Sequence, residues 1–151
     1  MRTKKTKFTD EELVSAVGSN ARISSEKLAK KLKVSPTTIR RRLKSAMRKD
    51  IMRTFAVVDP DKAGLTVQTV LGINLSRENI ESVINALENR SEIKWLAAVT
   101  GEYDIIARAA FSSIDQLSAF LEHELSNIKG INNCESFVCL DIPKGRFIVL
   151  D

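Results

Sequence analysis

The chain has 151 residues, with 24 Lys or Arg against 19 Asp or Glu and only two cysteines. That length suits one ordinary domain, or a small head joined to a body of about 90 residues. No apolar run approaches the roughly 18 residues needed to cross a membrane. Met1–Lys7 lacks the apolar centre of a secretion signal, so the expected compartment is the cytoplasm. Charge separates along the chain: residues 1–53 hold 16 Lys or Arg against 5 Asp or Glu, and the remainder holds 8 against 14. A polyanion would meet the cationic part, drawn by counterion release and weakened by salt, while the acidic part is repelled.

Taken in order, Thr9 or Asp10 suits the cap of a first helix with Leu13, Val14 and Val17 on its buried side, ending near Gly18 to Asn20. Leu28, Ala29 and Leu32 form a narrow apolar stripe on a second helix, surrounded by Lys27, Lys30, Lys31 and Lys33. Ser35 offers a hydroxyl to the free N–H groups of the next turn, and Pro36 suits a first helical position. On this third helix Ile39, Leu43, Ala46 and Met47 share one arc, and Thr37, Thr38, Arg41, Lys44, Ser45 and Arg48 point away from it. Such a face suits the major groove of double-stranded DNA, where arginine forks onto guanine and threonine meets a thymine methyl. Arg40 and Arg42 flank the face and are expected on phosphates. The DNA contacts expected of this helix-turn-helix are therefore Ser35, Thr37, Thr38, Arg40, Arg41, Arg42, Lys44, Ser45 and Arg48. The basic tail Met1–Lys7 either tracks the DNA backbone or is a solvated terminus.

Asp50 to Pro60 reads as a linking strand ending at an Asp-Pro turn. The expected division is a head over residues 1–52, a linking strand and hinge over 53–64, and a body over 65–151. In the body, Leu65–Leu75 reads as a strand, Arg77–Asn89 as a helix capped by Ser76, and Ile93–Thr100 as a strand. After a Gly-Glu turn come a strand over Tyr103–Phe111, a helix over Ile114–Lys129 capped by Ser112 or Ser113, and a strand over Asn132–Asp141, with an extension at Arg146–Leu150. The β-α-β-β-α-β order folds as one antiparallel sheet with both helices on one face. The fold class is thus α+β: a three-helix, winged-helix-like helix-turn-helix head and a ferredoxin-like βαββαβ body.

Two helices cover one sheet face only. Ile93, Trp95, Ala97 and Val99 alternate with Lys94, Leu96, Ala98 and Thr100, while Ile105, Ala107 and Ala109 alternate with Ile106, Arg108 and Ala110. Both faces read as largely apolar, so the second is expected to pack on another subunit as a twofold homodimer. Paired heads would then fit a roughly palindromic site.

Catalysis finds little support. No triad, phosphate loop or metal-spaced cluster occurs, and no cofactor is called for. His123, between Glu122 and Glu124, fits a helix surface. Cys134 and Cys139 lie five apart on a strand and point to opposite faces.

The whole layout resembles the Lrp/AsnC family of prokaryotic transcription regulators over nearly the full chain. The segments that carry the resemblance are Asn20-Ala-Arg-Ile-Ser, Leu28-Ala and Val34-Ser-Pro-Thr-Thr-Ile-Arg-Arg-Arg-Leu-Lys in the head, with Val99-Thr-Gly-Glu-Tyr-Asp and Ile128-Lys-Gly-Ile-Asn-Asn in the body. The resemblance implies a dimer able to assemble into an octamer, and a small-molecule effector, an amino acid, bound near the Gly-x-Tyr-Asp turn. Gly101 would let successive N–H groups receive a carboxylate, Asp104 would hold an α-ammonium, and Tyr103 would wall the pocket. By family position, Thr100, Gly101, Glu102, Tyr103 and Asp104 face Asn133, Cys134, Glu135 and Ser136. Lys49-Asp50-Ile51 departs from the family, which usually has a glycine there, and Cys134 stands where threonine is common. The expected function is a sequence-specific transcription regulator tuned by an amino acid. The alternative from another class is a non-specific architectural protein that coats DNA.

Overall fold

A computed structural model describes residues 8–76 and 80–149 of the chain. It divides into two units, Met1–Phe55 and Ala56–Asp151.

The first unit is three helices. Helix α1, Asp10–Gly18, starts at a capping box: the Glu12 amide donates to Thr9 Oγ1 at 3.1 Å, and the Thr9 amide donates to Glu12 Oε2 at 2.8 Å. Helix α2, Ser25–Lys31, is capped by Ser24, and helix α3, Pro36–Arg48, by Ser35. Leu13, Ala16, Leu28, Ala29 and Ile39 form the buried centre with Phe8, and Val17, Ile23, Leu32, Val34 and Leu43 pack around it. Ala46 is also buried, but Met47 is exposed, contrary to its expected place in the core arc. At 100° per residue it sits roughly 80° from Ile39, past the edge of the interface with α1 and α2. No strand occurs between residues 8 and 55, so three helices are the regular structure of the described head and it shows no wing.

Helices α2 and α3 both end on a non-glycine residue in the left-handed region. Lys33 has φ 53° and Asp50 φ 52°. In each case the next amide reaches back into the helix, Val34 to the Ala29 carbonyl at 3.0 Å and Ile51 to the Ala46 carbonyl at 3.0 Å. These are Schellman-type ends, where glycine is the residue most easily accommodated.

The second unit opens with a short strand β1, Val57–Val58, far shorter than the linking strand expected over residues 50–60. The four-stranded sheet comprises β2 (Val67–Leu75), β3 (Ile93–Ala98), β4 (Ile105–Phe111) and β5 (Ile131–Val138), in the antiparallel order β3-β4-β2-β5. Helix α4, Ile80–Glu88, joins β2 to β3; the expected Ser76 cap involves residues 77–79, outside the described residues. Helix α5, Ile114–Ala119, is capped by Ser113 and continues as a π-helical segment, Phe120–Leu125. Its wider spacing brings Leu125 onto the face that already buries Leu117 and Phe120. A last strand β6, Ile148–Val149, pairs antiparallel with β1. The βαββαβ order and single-sided helices are those expected, and the core lies between sheet and helices: Leu71, Ile73, Leu75, Ile105, Ala107 and Phe111 against Val83, Leu87, Leu117, Phe120 and Leu125.

Strand β3 differs from its expected alternation. A register irregularity between Ile93 and Trp95 puts Ile93 opposite Ala109 on the helix face and Trp95 opposite Arg108 on the open face. The extra residue changes which side chains point inward, as a bulge does. Leu96 therefore packs with the core, and Trp95 stands 51% exposed.

Candidate DNA interface and effector site

On α3, burial of Ile39 and Ala46 turns Thr37, Arg41, Lys44 and Arg48 outward, and all four are exposed. Thr38 and Ser45 are half-buried at the edge of this face. Ser35 is committed locally: it accepts from the Thr38 amide at 3.1 Å, and its hydroxyl shares a 2.8 Å hydrogen bond with that of Thr38. This rigid cap fixes the end of α3 that a major groove would receive first.

The three consecutive arginines diverge. Arg41 is exposed and has no ion pair among those of the described residues. Arg40 reaches across to Glu26 on α2 in an exposed pair. Arg42, expected on phosphates, is turned into the head instead. Its guanidinium lies 5.1 Å from the Phe8 ring centroid, donates to the Phe8 carbonyl at 3.0 Å and pairs with Asp10 Oδ1 at 3.2 Å. The reason is its place on the wheel: roughly 60° from the core centre, against about 160° for Arg41. Phe8 itself is buried, a core residue that the sequence reading missed because it precedes the first helix.

In the body, the turn between β3 and β4 is tied to the middle strand β2. The Val99 amide donates to the Asp104 carbonyl at 2.9 Å, the Asp104 amide to the Ile73 carbonyl at 3.0 Å, and the Leu75 amide to Asp104 Oδ2 at 2.7 Å. Asn74 Nδ2 donates to the Glu102 carbonyl. Thr100, Gly101 and Glu102 are exposed at the tip, and Gly101 takes φ +135°, a conformation that favours glycine.

Tyr103 lies flat across β2. A Cβ on Gly72 would stand 2.7 Å from its ring, so glycine is what permits the approach. The phenol donates to Glu135 Oε2 at 2.9 Å, and its ring meets Phe137 edge-on at 6.4 Å between centroids. That hydrogen bond to a carboxylate, with burial and the Glu135 charge behind it, pushes the Tyr103 pKa up to about 12. An isolated glycine among β-branched residues was the available signal for this close approach.

The four expected effector residues on β5 split between two faces. Asn133 and Glu135 pair with Asn74 and Gly72 on the open face, on the side where Tyr103 lies. Cys134 and Ser136 pair with Ile73 and Leu71, whose side chains face the helices. Cys134 packs against the core, and burial pushes its thiol up to about 11. The period of two along a strand thus sends the four side chains to opposite faces of the sheet.

A three-helix head with an outward cationic helix, beside an antiparallel α+β unit carrying an open sheet face and a glycine turn, defines a helix-turn-helix protein with an appended ligand-type domain. The family model described as the Lrp/AsnC ligand binding domain matches residues 68–149, and that of the AsnC-type helix-turn-helix domain matches residues 9–46. The chain belongs to the Lrp/AsnC family. It is 30% identical over 141 residues to the regulatory protein AsnC of Escherichia coli, covering 92% of this chain and 93% of that one. The solved structure of that protein superposes with a TM-score of 0.78 over 89% of this chain and 91% of its own. The transcriptional regulator Ptr1 of Methanocaldococcus jannaschii is 30% identical over 127 residues, 83% of this chain and 86% of the relative. A Neisseria meningitidis transcriptional regulator solved as its L-Met complex shares the fold, with a TM-score of 0.79 at 23% identity over 95% of this chain and 93% of that one. The protein is a helix-turn-helix transcription regulator, not an enzyme. No helix among the described residues is long and apolar enough to cross a membrane.

Proposed function

We propose that this regulator acts in the cytoplasm as a homodimer that reads operator DNA with paired α3 helices, its occupancy adjusted by an amino acid. The observation that carries the DNA reading is the outward set Thr37, Arg41, Lys44 and Arg48 on a helix whose other side is buried. Within it, Arg41 is the base-reading candidate, and Arg40 is a phosphate contact once released from its exposed pair with Glu26. Arg42 belongs to the scaffold of the head. Arg41→Ala is expected to cost about 1 to 3 kcal/mol on a specific site and far less on random DNA. Equal losses on both, in titrations at fixed salt, would reject base reading. They would favour the architectural alternative if the wild type also showed no preference among fragments.

Dimerisation rests on the open sheet face. Trp95 and Phe137 are 51% and 48% exposed there, alongside the less exposed Val70, Ala97 and Ile106. Arg108 crosses the face, bonded to Gln68 Oε1 at 3.0 Å and to the Gly145 carbonyl at 2.7 Å. An apolar surface framed by satisfied polar groups is what a second copy would cover. Trp95→Glu is expected to shift the protein from dimer to monomer in light scattering; further growth to an octamer would appear in the same measurement.

For the effector, the Neisseria regulator's L-Met complex makes an amino acid the reasonable ligand class. The supporting geometry is the exposed Gly101 turn, with the Asp104 carboxylate held by the Leu75 amide and its other oxygen offered to an ammonium. The side-chain reader on β5 is then Asn133 and Glu135 rather than Cys134 and Ser136. Because Asp104→Ala would also strip a backbone partner, Asp104→Asn is the cleaner test: it keeps an acceptor for Leu75 and removes the charge. Amino-acid-induced thermal shifts should vanish in this variant. If they persist, Asp104 is not the ammonium partner.

A further inference from the structure

At the end of the sheet away from the Gly101 turn, the chain leaves β5 and returns towards β6 past the start of β2. The Cys139 amide donates to the Gln68 carbonyl at 2.9 Å, and Arg108 donates to the Gly145 carbonyl at 2.7 Å. Arg146 then donates through Nη2 to Asp59 Oδ1 at 3.0 Å and to Asp61 Oδ2 at 2.5 Å, in the turn that follows β1. Between this returning segment, that turn and β2 lies a cavity of about 150 Å³ whose lining includes Asp61, Thr66, Gln68, Cys139, Asp141 and Arg146. Gln68 and Leu75, which holds Asp104, stand at opposite ends of β2, so the cavity is roughly 23 Å from the effector turn along the strand.

The polar groups of this cavity are incompletely matched within the chain. Gln68 is 9% exposed, and its side chain faces Arg108, which donates to Oε1 at 3.0 Å. Arginine has no acceptor, so the amide oxygen must take that place and the NH2 group is left for the cavity. That NH2 has no partner among the described residues, and a buried donor in such a state is unfavourable until an acceptor reaches it. Arg146 uses Nη2 on the two aspartates and keeps Nε and Nη1. On the acceptor side Asp61 keeps Oδ1, and the exposed Asp141 has no ion pair among those of the described residues.

This lining favours one ligand chemistry. Asp61 and Asp141 repel a bare anion, Arg146 and the Gln68 amide offer nothing to a bare cation, and a hydrocarbon would leave all four without partners. A molecule with one carboxylate and one ammonium satisfies both sides. A cavity of this size holds about six non-hydrogen atoms, which admits glycine or alanine and excludes large side chains.

We propose that this cavity binds a small zwitterionic amino acid, its carboxylate on the Gln68 amide and Arg146 and its ammonium between Asp61 and Asp141. The site is separate from the Gly101 turn and stands whether or not that turn takes an effector. Because Asp61 follows β1 and Arg146 precedes β6, a ligand held by both ties the β1–β6 pair to β2.

The test titrates the full chain with glycine and with alanine by calorimetry, beside acetate and methylammonium. The amino acids should bind, and the two half-ligands should bind about tenfold more weakly, since each meets one side of the lining. Gln68→Glu keeps an acceptor for Arg108 but replaces the free donor with a carboxylate oxygen, and should weaken binding by about tenfold. Asp141→Asn changes an exposed side chain and should weaken it severalfold, whereas Asp104→Asn should leave it unchanged. Amide hydrogen exchange in β1 and β6 should slow when the ligand is bound. Failure of both glycine and alanine to bind overturns the site, as does acetate binding as tightly as glycine. Binding that survives Gln68→Glu and Asp141→Asn but disappears with Asp104→Asn also overturns it, because that outcome assigns the ligand to the turn.

Discussion

Tyr103 is the chain's only tyrosine, so its ionisation can be followed without interference from another phenol. Its pKa is raised to about 12, first by the hydrogen bond to Glu135, then by burial, then by the charges of Glu135, Glu102 and Cys134. Glu135→Gln removes the charged acceptor and leaves burial and Glu102 in place. The tyrosinate absorbance midpoint should then move most of the way from about 12 back towards the ordinary 10. The sign for stability follows from proton linkage. The folded chain holds the phenolic proton more tightly than the unfolded chain, so the contribution is complete below the ordinary pKa and is lost as pH rises through the folded one. Gly72→Ala supplies an independent perturbation, because its Cβ would stand 2.7 Å from the ring and must displace it. That variant should lower the midpoint although Glu135 is untouched. A wild-type midpoint at the ordinary value, or one that neither variant changes, would refute the placement of Tyr103 across β2.

The helix ends and the head core give further expectations. Lys33→Gly and Asp50→Gly should each stabilise the head, since a non-glycine residue in the left-handed region costs roughly 1 kcal/mol. The gain at Asp50 should be the smaller, about 0.5 kcal/mol, because its exposed pair with Arg53 is lost and Asp tolerates this conformation better than Lys. Urea unfolding that shows either variant destabilised would contradict the strain assignment. Ile39 is completely buried at the centre of the three helices, and Ile39→Ala should cost about 2 to 5 kcal/mol. A head of about 50 residues has little stability to spare, so calorimetry should show its transition collapse while that of the Ala56–Asp151 unit stays near its original temperature.

The succession of three helices and then a βαββαβ body was legible because the longer elements carry a periodic signal and α1, α2, α3 and α5 each start at a capping side chain. Ser35-Pro36 marked the start of α3, and Ser113 that of α5. What escaped was set by contacts between distant residues. Nothing local to Arg42 separates it from Arg41; only the arrival of Phe8 and Asp10, more than thirty positions earlier, turns one inward. The irregularity at Ile93 and Trp95 was equally hidden, since a strict alternation places both on one face and only pairing with β4 shows where the extra residue is absorbed. The switch to π-helical spacing after Ala119 lengthens the interval from Phe120 to Leu125, which a 3.6-residue wheel would assign to different sides.

The candidate effector residues illustrate the same division between local and non-local information, with a consequence for how the site must work. The turn and β5 are not neighbours in the sheet; β2 lies between β4 and β5. Every link between the two halves passes over or through β2: Tyr103 crosses Gly72 to reach Glu135, Asn74 holds the Glu102 carbonyl while pairing with Asn133, and the Leu75 amide holds Asp104. A ligand gripping Glu135 must therefore reckon with the Tyr103 hydrogen bond laid across the middle strand, whereas one gripping Asp104 meets a carboxylate already held by the Leu75 amide. The two contacts respond differently. The Asp104 bond to Leu75 uses one carboxylate oxygen and survives engagement of the other, whereas a cation on Glu135 withdraws the charge that holds the Tyr103 proton. Effector binding through Glu135 would thus lower the tyrosine midpoint in the same direction as Glu135→Gln, and binding through Asp104 alone would leave it near its starting value.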